Sequence, residues 1–273
     1  MKIGNREFNT NSKCYIMGIV NVTPDSFSDG GKWVNLETAI RHAADMVKQG
    51  ADILDVGGES TRPGYTEITQ SEEIDRVMPV IEALHTRFDS PISIDTYKSK
   101  VAAAAITAGA DMVNDIWGLK YDENMAELIS QSEVSCCLMH NRRAIDYNDF
   151  LTDMLGDLKD SVEIARKAGI AEDRIILDPG VGFAKTYEMN LEAINKIDEI
   201  KRLGFPILLG VSRKSVVGIT LDVPVAERLE GSIAAALVGL MRGCAFLRVH
   251  DVRETRYAVT MTEAIISQHH EYI

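Results

Sequence analysis

The chain has 273 residues, of which 45% are hydrophobic and 26% charged, and this length and composition allow one large buried core. The formal net charge of −12 at pH 7 opposes binding to nucleic acid or anionic lipid, so neither is expected as a partner. The polar start MKIGNREF and the short apolar stretch 233–241 predict neither a secretion signal nor a membrane span, and we expect a cytoplasmic protein.

Eight short runs rich in aliphatic residues recur along the chain, and a longer stretch with helical spacing follows each of them. They begin at Tyr15, Ile53, Ile92, Met112, Val134, Ile175, Ile207 and Phe246. Apolar strands without polar alternation are typical of a parallel sheet covered by helices. Eight such units favour an α/β fold of the (β/α)8 TIM barrel type over its alternative, a doubly wound open sheet.

Glycines and the absence of linkers set the predicted organisation of the chain. Gly50, Gly109, Gly169 and Gly204 lie where helices should end, and Ser71 with Glu73 marks a helix start. No Pro/Ser-rich linker or charge block divides the sequence, so 1–273 is interpreted as one domain, with residues 1–13 capping the barrel floor.

The four cysteines are expected to be buried free thiols. Cys14, Cys136, Cys137 and Cys244 lie in apolar runs and have neither metal-ligand nor redox-motif spacing. Adjacent residues of a strand point to opposite faces, so the Cys136 and Cys137 side chains should diverge.

Polar residues follow the predicted strands at the end where a (β/α)8 barrel carries its active face. A single Asp or Asn there is more often a helix cap or turn former, but recurrence after every strand favours a site. Basic residues are also concentrated at this end, although the chain is acidic, and they predict a small anionic substrate. This basic set comprises Arg62, Arg142, Arg143, Lys185, Arg213, Lys214, Arg248 and His250.

The last two strands are followed by SRKS and RVHD, at the usual phosphate-binding place of this fold. A solvated basic rim is the alternative interpretation. Asp95 and Asp178 end apolar strands, where a carboxylate needs donors, and Asn114 can both donate and accept. The residues alone therefore predict a flat, donor-rich heterocycle with an anionic tail.

Longer motifs give a more specific indication. NVTPDSFSDGG (21–31) and DVGGESTRPG (55–64) resemble signatures of the dihydropteroate synthase family of pterin-binding enzymes. ISIDTYK (92–98), GADMVNDIWG (109–118), DPGVGFAKT (178–186), SRKS (212–215) and RVHDV (248–252) follow in the family's order, so the resemblance covers nearly all of the chain after residue 13.

The resemblance implies that the chain joins 6-hydroxymethyl-7,8-dihydropterin diphosphate to p-aminobenzoate and releases pyrophosphate, in folate biosynthesis. It also implies inhibition by sulfonamides, which mimic p-aminobenzoate. The implied catalytic residues are Asp95, Lys214, Arg248 and His250. The implied pterin site comprises Asp95, Asn114, Met139, Asp178, Phe183 and Lys214. The implied diphosphate site comprises Asn21, Thr61, Arg248 and His250. The implied p-aminobenzoate site comprises Phe27, Thr61, Arg62, Pro63, Phe183, Lys214 and Ser215.

Magnesium is the implied cofactor, with Asn21 as a ligand; since this side chain offers one neutral oxygen, the diphosphate and water must supply most of the coordination. The apolar helix from Ile233 and the resemblance suggest a homodimer. Two departures from the family pattern stand out: NRRAIDYNDF follows His140, and Ala184 occupies a usual glycine position.

An aromatic amine is uncharged near neutral pH and needs no strong base, so departure of the leaving group is the expected target of catalysis. We predict a dissociative substitution in which the pterin ring delocalises positive charge at the exocyclic methylene. The loops after the first two strands are expected to close over the site and exclude water. A pterin-binding methyltransferase and a non-catalytic pterin-binding subunit are the rival interpretations.

Overall fold

A computed structural model describes residues 1–22, 32–59 and 67–267 of the chain. Phe27, Thr61, Arg62 and Pro63, which the resemblance places in the site, lie outside the described residues. Within those residues, no helix has both the length and the apolar character required to cross a lipid bilayer.

Ten strands are described, and the last eight are parallel and form one sheet. They are β1 (Lys2–Ile3), β2 (Arg6–Glu7), β3 (Tyr15–Asn21), β4 (Ile53–Gly57), β5 (Ile92–Asp95), β6 (Met112–Asp115), β7 (Ser135–Met139), β8 (Ile175–Asp178), β9 (Leu208–Leu209) and β10 (Phe246–Val249). The order in the sheet is β8-β7-β6-β5-β4-β3-β10-β9, and a parallel bridge from Leu177 to Ile207 joins its two edges. The predicted (β/α)8 barrel is confirmed, and the open sheet is excluded.

Helices connect the strands and cover the outside of the barrel. They are α1 (Lys32–Gln49), α2 (Gln70–Arg87), α3 (Ser99–Thr107), α4 (Met125–Ser132), α5 (Phe150–Ala168), α6 (Tyr187–Asn195), α7 (Ile197–Lys201), α8 (Ser215–Leu221), α9 (Leu229–Met241) and α10 (Val252–Ser267). Gly169, one of the predicted helix-ending glycines, has φ 88° and directly follows α5. Helix α2 begins earlier than the predicted signal at Ser71, because the Thr69 side chain accepts the backbone N–H of Glu72 at 3.2 Å.

The bottom of the barrel interior is closed by apolar side chains, which we call the barrel floor. The floor comprises Ile3, Phe8, Met17, Ile53, Met112, Cys137, Ile176, Leu208, Ala245 and Phe246. The β1–β2 hairpin closes it from outside the sheet, and the Phe8 ring lies 4.8 Å from Tyr15 and 5.8 Å from Phe246 between centroids. Alternate strand residues point outward and pack under the helices in a second, larger cluster.

All four cysteines are free and buried. Cys136 belongs to the layer between strands and helices, whereas Cys137 belongs to the floor. The expected divergence of these two neighbouring side chains is therefore present.

Candidate active site

The upper half of the barrel interior is polar. Asp95 lies opposite Asn114 in the pairing of β5 with β6, and Met139 lies opposite Asp178 in the pairing of β7 with β8. We call the polar side chains that lie above the floor the polar interior; all of them are buried except Arg248, which is half-buried. This set comprises Asp55, Ser93, Asp95, Asn114, Asp178 and Arg248. The structure therefore brings together most of the predicted pterin residues that it describes.

Arg248 bridges two carboxylates at the centre of the polar interior. Its Nε donates to Asp55 Oδ2 at 2.6 Å, and one Nη donates to Asp95 Oδ2 at 2.5 Å. Burial acts to lower the pKa of Arg248, but the two carboxylates outweigh it and raise the pKa. Arg248 was predicted to bind the diphosphate, but two of its donor groups already bind carboxylates. Only the remaining edge of its guanidinium group can reach a substrate.

Each of these carboxylates retains one oxygen that is buried and has no hydrogen-bond partner among the described residues. These atoms are Asp55 Oδ1 and Asp95 Oδ1, and the buried Ser93 Oγ shares this condition. Burial raises the pKa of Asp95 to about 7, while Arg248 opposes the shift and Asp55 adds to it. Unpaired buried acceptors are costly unless a ligand supplies the donors, so the polar interior is suited to a donor-rich molecule.

Asp178 and Lys214 form the next part of the site. Asp178 Oδ1 accepts the backbone N–H of Gly180 at 2.6 Å, and burial raises the pKa of its carboxyl group against the opposing charge of Lys214. Burial lowers the pKa of Lys214 to about 8, although Asp178 acts in the other direction. Lys214 also donates to the Val181 carbonyl.

The walls of the site include two of the predicted apolar residues. Met139 and Phe183 pack in one small cluster that also contains Tyr97 and Ile116. The ammonium nitrogen of Lys214 lies 4.7 Å from the centroid of the Phe183 ring, within the range of a cation–π contact. A flat ring could thus be held between apolar walls above the carboxylates.

Phe183 belongs to a loop with an unusual backbone. Gly180 and Gly182 have φ of 67° and 87°, and Ala184 has φ of 43°. Ala184 therefore adopts the left-handed conformation that favours glycine, which is the usual residue at this position in the family. With alanine here, the backbone is strained.

Other predicted residues lie around this centre. His250 Nδ1 is 3.0 Å from Ser212 Oγ. Ser215 is exposed and begins α8, and Asn21 is half-buried at the end of β3. These three residues lie at the end of the barrel that the sequence identified as the active face.

Three residues of the predicted basic set have partners within the protein. Arg142 donates to Asp157 Oδ2 at 2.6 Å, and Arg213 pairs with Asp251. Lys185 is buried and contacts His140 Nδ1 at 2.8 Å. Each of these three cations thus has a neighbouring acceptor within the protein, and a contact with an anionic substrate stays a prediction.

Sequence reasoning missed several charged groups near the site. Asp55 accepts from Arg248, yet it was noticed only as part of a motif. Lys98 is buried and donates to Glu59 Oε1 at 3.0 Å and to Glu73 Oε2 at 2.8 Å. The available signal for Asp55 was its position in the middle of an apolar strand, where a carboxylate requires a partner.

Comparisons with known proteins agree with this geometry. A family model described as "Pterin binding enzyme" matches residues 17–250, which places the barrel in the class of pterin-binding enzymes. A dihydropteroate synthase of Clostridium beijerinckii is 55% identical over 267 residues, covering 97% of this chain and 99% of that protein.

Solved structures give the same result. A Clostridium difficile dihydropteroate synthase, crystallised in the presence of pteroic acid, has a TM-score of 0.93 at 51% identity and covers 95% of this chain and 99% of its own. A Xanthomonas albilineans dihydropteroate synthase with 4-aminobenzoic acid has a TM-score of 0.90 at 41% identity, with 93% of each chain covered. The chain belongs to the dihydropteroate synthase family, as its motifs predicted, and is a transferase.

Proposed function

We propose that this chain condenses 6-hydroxymethyl-7,8-dihydropterin diphosphate with p-aminobenzoate at the upper end of the barrel, giving 7,8-dihydropteroate and pyrophosphate. The observation that supports this most strongly is the pair of buried acceptors Asp55 Oδ1 and Asp95 Oδ1, which lie beside Asp178 and Asn114 and have no hydrogen-bond partner among the residues described. A pterin presents ring N–H and amino donors along its edge, which would satisfy such acceptors.

In the proposed pterin site, Asp95 and Asp178 accept from the ring and Asn114 both donates and accepts. Lys214 donates to a ring acceptor, while Met139 and Phe183 enclose the faces. Asn114 is well placed for this role, since its Nδ2 lies 3.4 Å from Asp55 Oδ2, a long contact that leaves it available to a better partner.

The diphosphate would extend from the pterin toward Asn21 and His250, with Thr61 contributing from the second loop. The remaining edge of Arg248 would bind the diphosphate, because its other donors are taken by Asp55 and Asp95. Arg248 would therefore link the two substrate parts: it fixes the carboxylates that bind the ring and supplies positive charge to the departing pyrophosphate.

The p-aminobenzoate site is proposed around Phe183, Lys214 and Ser215. Their placement supports it, since Lys214 lies over the Phe183 ring and the adjacent Ser215 hydroxyl is exposed at the start of α8. The remaining proposed residues are Phe27, Thr61, Arg62 and Pro63. Sulfonamides would compete at this site because they resemble p-aminobenzoate.

Magnesium is proposed as the metal, bound with the diphosphate. No group of three or more His, Cys, Asp or Glu side chains that could hold an ion occurs among the residues described. The donor set fits an ion whose ligands come mainly from substrate and water, with Asn21 Oδ1 as the protein ligand. When bound, magnesium would neutralise charge on the leaving pyrophosphate.

The substitution is proposed to be dissociative. The C–O bond to the diphosphate breaks with both electrons leaving on oxygen, the aromatic amine then forms the C–N bond, and its proton is lost to solvent. The carboxylates of Asp95 and Asp178 favour positive charge on the ring, and burial of both groups strengthens that interaction. Bridging oxygen-18 should therefore scramble into non-bridging positions of recovered diphosphate when p-aminobenzoate is absent; no scrambling would contradict this step.

A homodimer is also proposed. Large apolar side chains are exposed on α8, α9 and α10, which are packed together on one side of the barrel. They include Ile219, Leu221, Val238, Met241, Tyr257, Met261 and Ile265. Contiguous exposed apolar surface is typical of protein interfaces. Sedimentation velocity should give twice the monomer mass, and Met241→Glu should shift the distribution toward monomer.

The four free thiols support a reducing, cytoplasmic location.

The decisive test of the proposed function is pyrophosphate release. Protein is incubated with 6-hydroxymethyl-7,8-dihydropterin diphosphate, magnesium and p-aminobenzoate, and pyrophosphate and dihydropteroate are followed together. Equal production of the two products supports the proposal. Folded protein that releases neither product would refute it.

A further inference from the structure

The loop that carries Phe183 depends on side chains from elsewhere to fix its backbone. Between Gly180 and Ala184, three residues have positive φ, and one internal backbone bond is described, from Phe183 N to Gly180 O at 3.1 Å. A loop of this kind leaves carbonyl groups without partners in regular structure. Its shape must therefore be set by the groups that donate to those carbonyls.

One of these groups is the Tyr147 hydroxyl, which donates to Ala184 O at 3.0 Å, and Lys185 supplies two further hydrogen bonds. Its Nζ donates to Gly180 O and to Phe183 O, each at 3.0 Å, and lies 2.8 Å from His140 Nδ1. Three acceptors match the three N–H groups of an ammonium ion. Lys214, which the proposed reaction uses, holds the intervening Val181 carbonyl. The two lysine side chains thus hold the carbonyl groups of Gly180, Val181 and Phe183.

A chain of hydrogen-bonded side chains holds Lys185 in turn. His140 Nε2 lies 3.0 Å from Asp157 Oδ2, on α5, and the same oxygen accepts Arg142 Nε at 2.6 Å. Because His140 Nδ1 accepts from Lys185, its proton must lie on Nε2 and be donated to Asp157. Burial lowers the pKa of His140 to about 4, against the hydrogen bond to Asp157, so this neutral tautomer persists at neutral pH.

Packing alone does not account for an ammonium group at this place. Lys185 is 9% exposed, and burial lowers its pKa to about 7 while Asp178 acts to raise it. A methionine would fill a similar volume without the cost of burying a charge. What the lysine adds is directional: it orients the carbonyls on both sides of Phe183.

We propose that Lys185, held by His140 and Asp157, is a positioning residue of the active site that sets the Gly180–Ala184 loop and thereby places Phe183 against the pterin and p-aminobenzoate. This inference rests on the proposed function, since it assigns Phe183 to both substrates. Lys185 itself contacts neither substrate; it acts through the loop.

The test compares Lys185→Met with Lys159→Met, a control at an exposed position on α5. Steady-state kinetics give kcat and both KM values, calorimetry gives the affinity for pteroic acid, and hydrogen–deuterium exchange follows residues 180–185. For Lys185→Met we expect KM for p-aminobenzoate and Kd for pteroic acid to rise roughly tenfold or more, because small displacements of binding groups are costly. We expect kcat to fall much less and exchange in the loop to become faster.

The control should match the wild-type protein in every measurement. Asp157→Asn provides a second variant, at a side chain that is 21% exposed, and should shift the same quantities in the same direction by less. If Lys185→Met does not fold, this variant decides. Unchanged KM and Kd in a folded variant overturn the proposal even if exchange increases. Absence of pyrophosphate release by wild-type protein would instead refute the proposed function, while pteroic acid binding and loop exchange would still test the role of Lys185.

Discussion

The lower and upper halves of the barrel interior are built by the same strands but have opposite chemistry. A step of two residues along β4 changes Ile53 of the floor into Asp55, and the same step along β10 changes Phe246 into Arg248. Each large apolar side chain of the floor contributes about 1.5–3 kcal/mol to stability, whereas the buried oxygens above it that have no partner among the described residues cost free energy. On the inward face of these strands, the residues of the floor therefore serve stability, and the residues of the polar interior above it serve binding.

The largest effect is expected for Arg248→Met, which should lower both stability and activity. It leaves the carboxylates of Asp55 and Asp95 buried without their shared cation. Removing one partner of such a buried group should lower the free energy of unfolding by about 3–5 kcal/mol, and activity should also be lost. Urea denaturation and the pyrophosphate assay measure the two quantities.

The matched control for this change is Arg253→Met, because Arg253 pairs with Glu254 while its own side chain is 60% exposed. Its effect on unfolding should stay within about 0.5 kcal/mol, as for other surface substitutions. Equal destabilisation by the two variants would contradict the assignment of Arg248 to a buried pair.

Phe246→Ala should damage the floor and spare the site. Phe246 is fully buried and lies against Phe8 and Tyr15, so truncation should lower the free energy of unfolding by about 3–5 kcal/mol through loss of contacts and formation of a cavity. KM for both substrates, measured at a temperature where the variant is folded, should remain at the wild-type value. A KM change as large as that of a site variant would mean that the two halves are coupled.

Asp178→Asn should have the opposite pattern, with activity lost and stability kept. The amide keeps the size of the side chain but loses the charge that favours a cationic pterin, so kcat/KM should fall roughly 100-fold. The thermal unfolding midpoint should stay close to wild type. Asp173→Asn, at an exposed position nearby, is the control and should be neutral in both measurements.

The last effect is a pH dependence of stability that belongs to the polar interior. Burial raises the pKa of Asp95 to about 7 from its ordinary value of 3.8, so the folded state binds more protons than the unfolded state between about pH 4 and 7. This contribution to stability is therefore present at low pH and decreases as pH rises through that window, by about 1.4 kcal/mol per pH unit at most.

His140 acts in the other direction, because burial lowers its pKa to about 4. The measurement is therefore the difference in unfolding free energy between wild type and Asp95→Asn at several pH values, in which the contribution of His140 cancels. A difference that does not change with pH between 4 and 7 would contradict the role assigned to Asp95.

The strands could be predicted closely from the sequence because local composition determines them. The run predicted to begin at Val134 corresponds to β7, which begins one residue later and spans Ser135–Met139. The run from Ile207 became the short β9, since Ile207 pairs with Leu177 by an isolated bridge instead. Such differences arise at strand ends, where hydrogen bonding to neighbours, and not composition, decides the boundary.

The pairing of charges could not be predicted, because it joins residues that are remote in sequence. Arg248 and Asp55 are separated by 193 positions, and no local pattern indicates which of several carboxylates a given cation will find. For the same reason, Lys185 and Arg142 were assigned to a basic mouth, although His140 and Asp157 lie beside them in the fold. The residue types were sufficient to predict the chemistry of the site, whereas the ion pairs could be identified only from distances in the structure.

The two adjacent thiols of β7 can report which part of the barrel opens when the protein partly unfolds. Cys136 faces the helices and Cys137 faces the floor, and burial raises the pKa of both, so neither should react with an alkylating reagent in the closed barrel. Detachment of a helix would label Cys136 first, and separation of the strands from the floor would label Cys137. Mass spectrometry of the peptide that contains both cysteines would then show which layer of the barrel opens first.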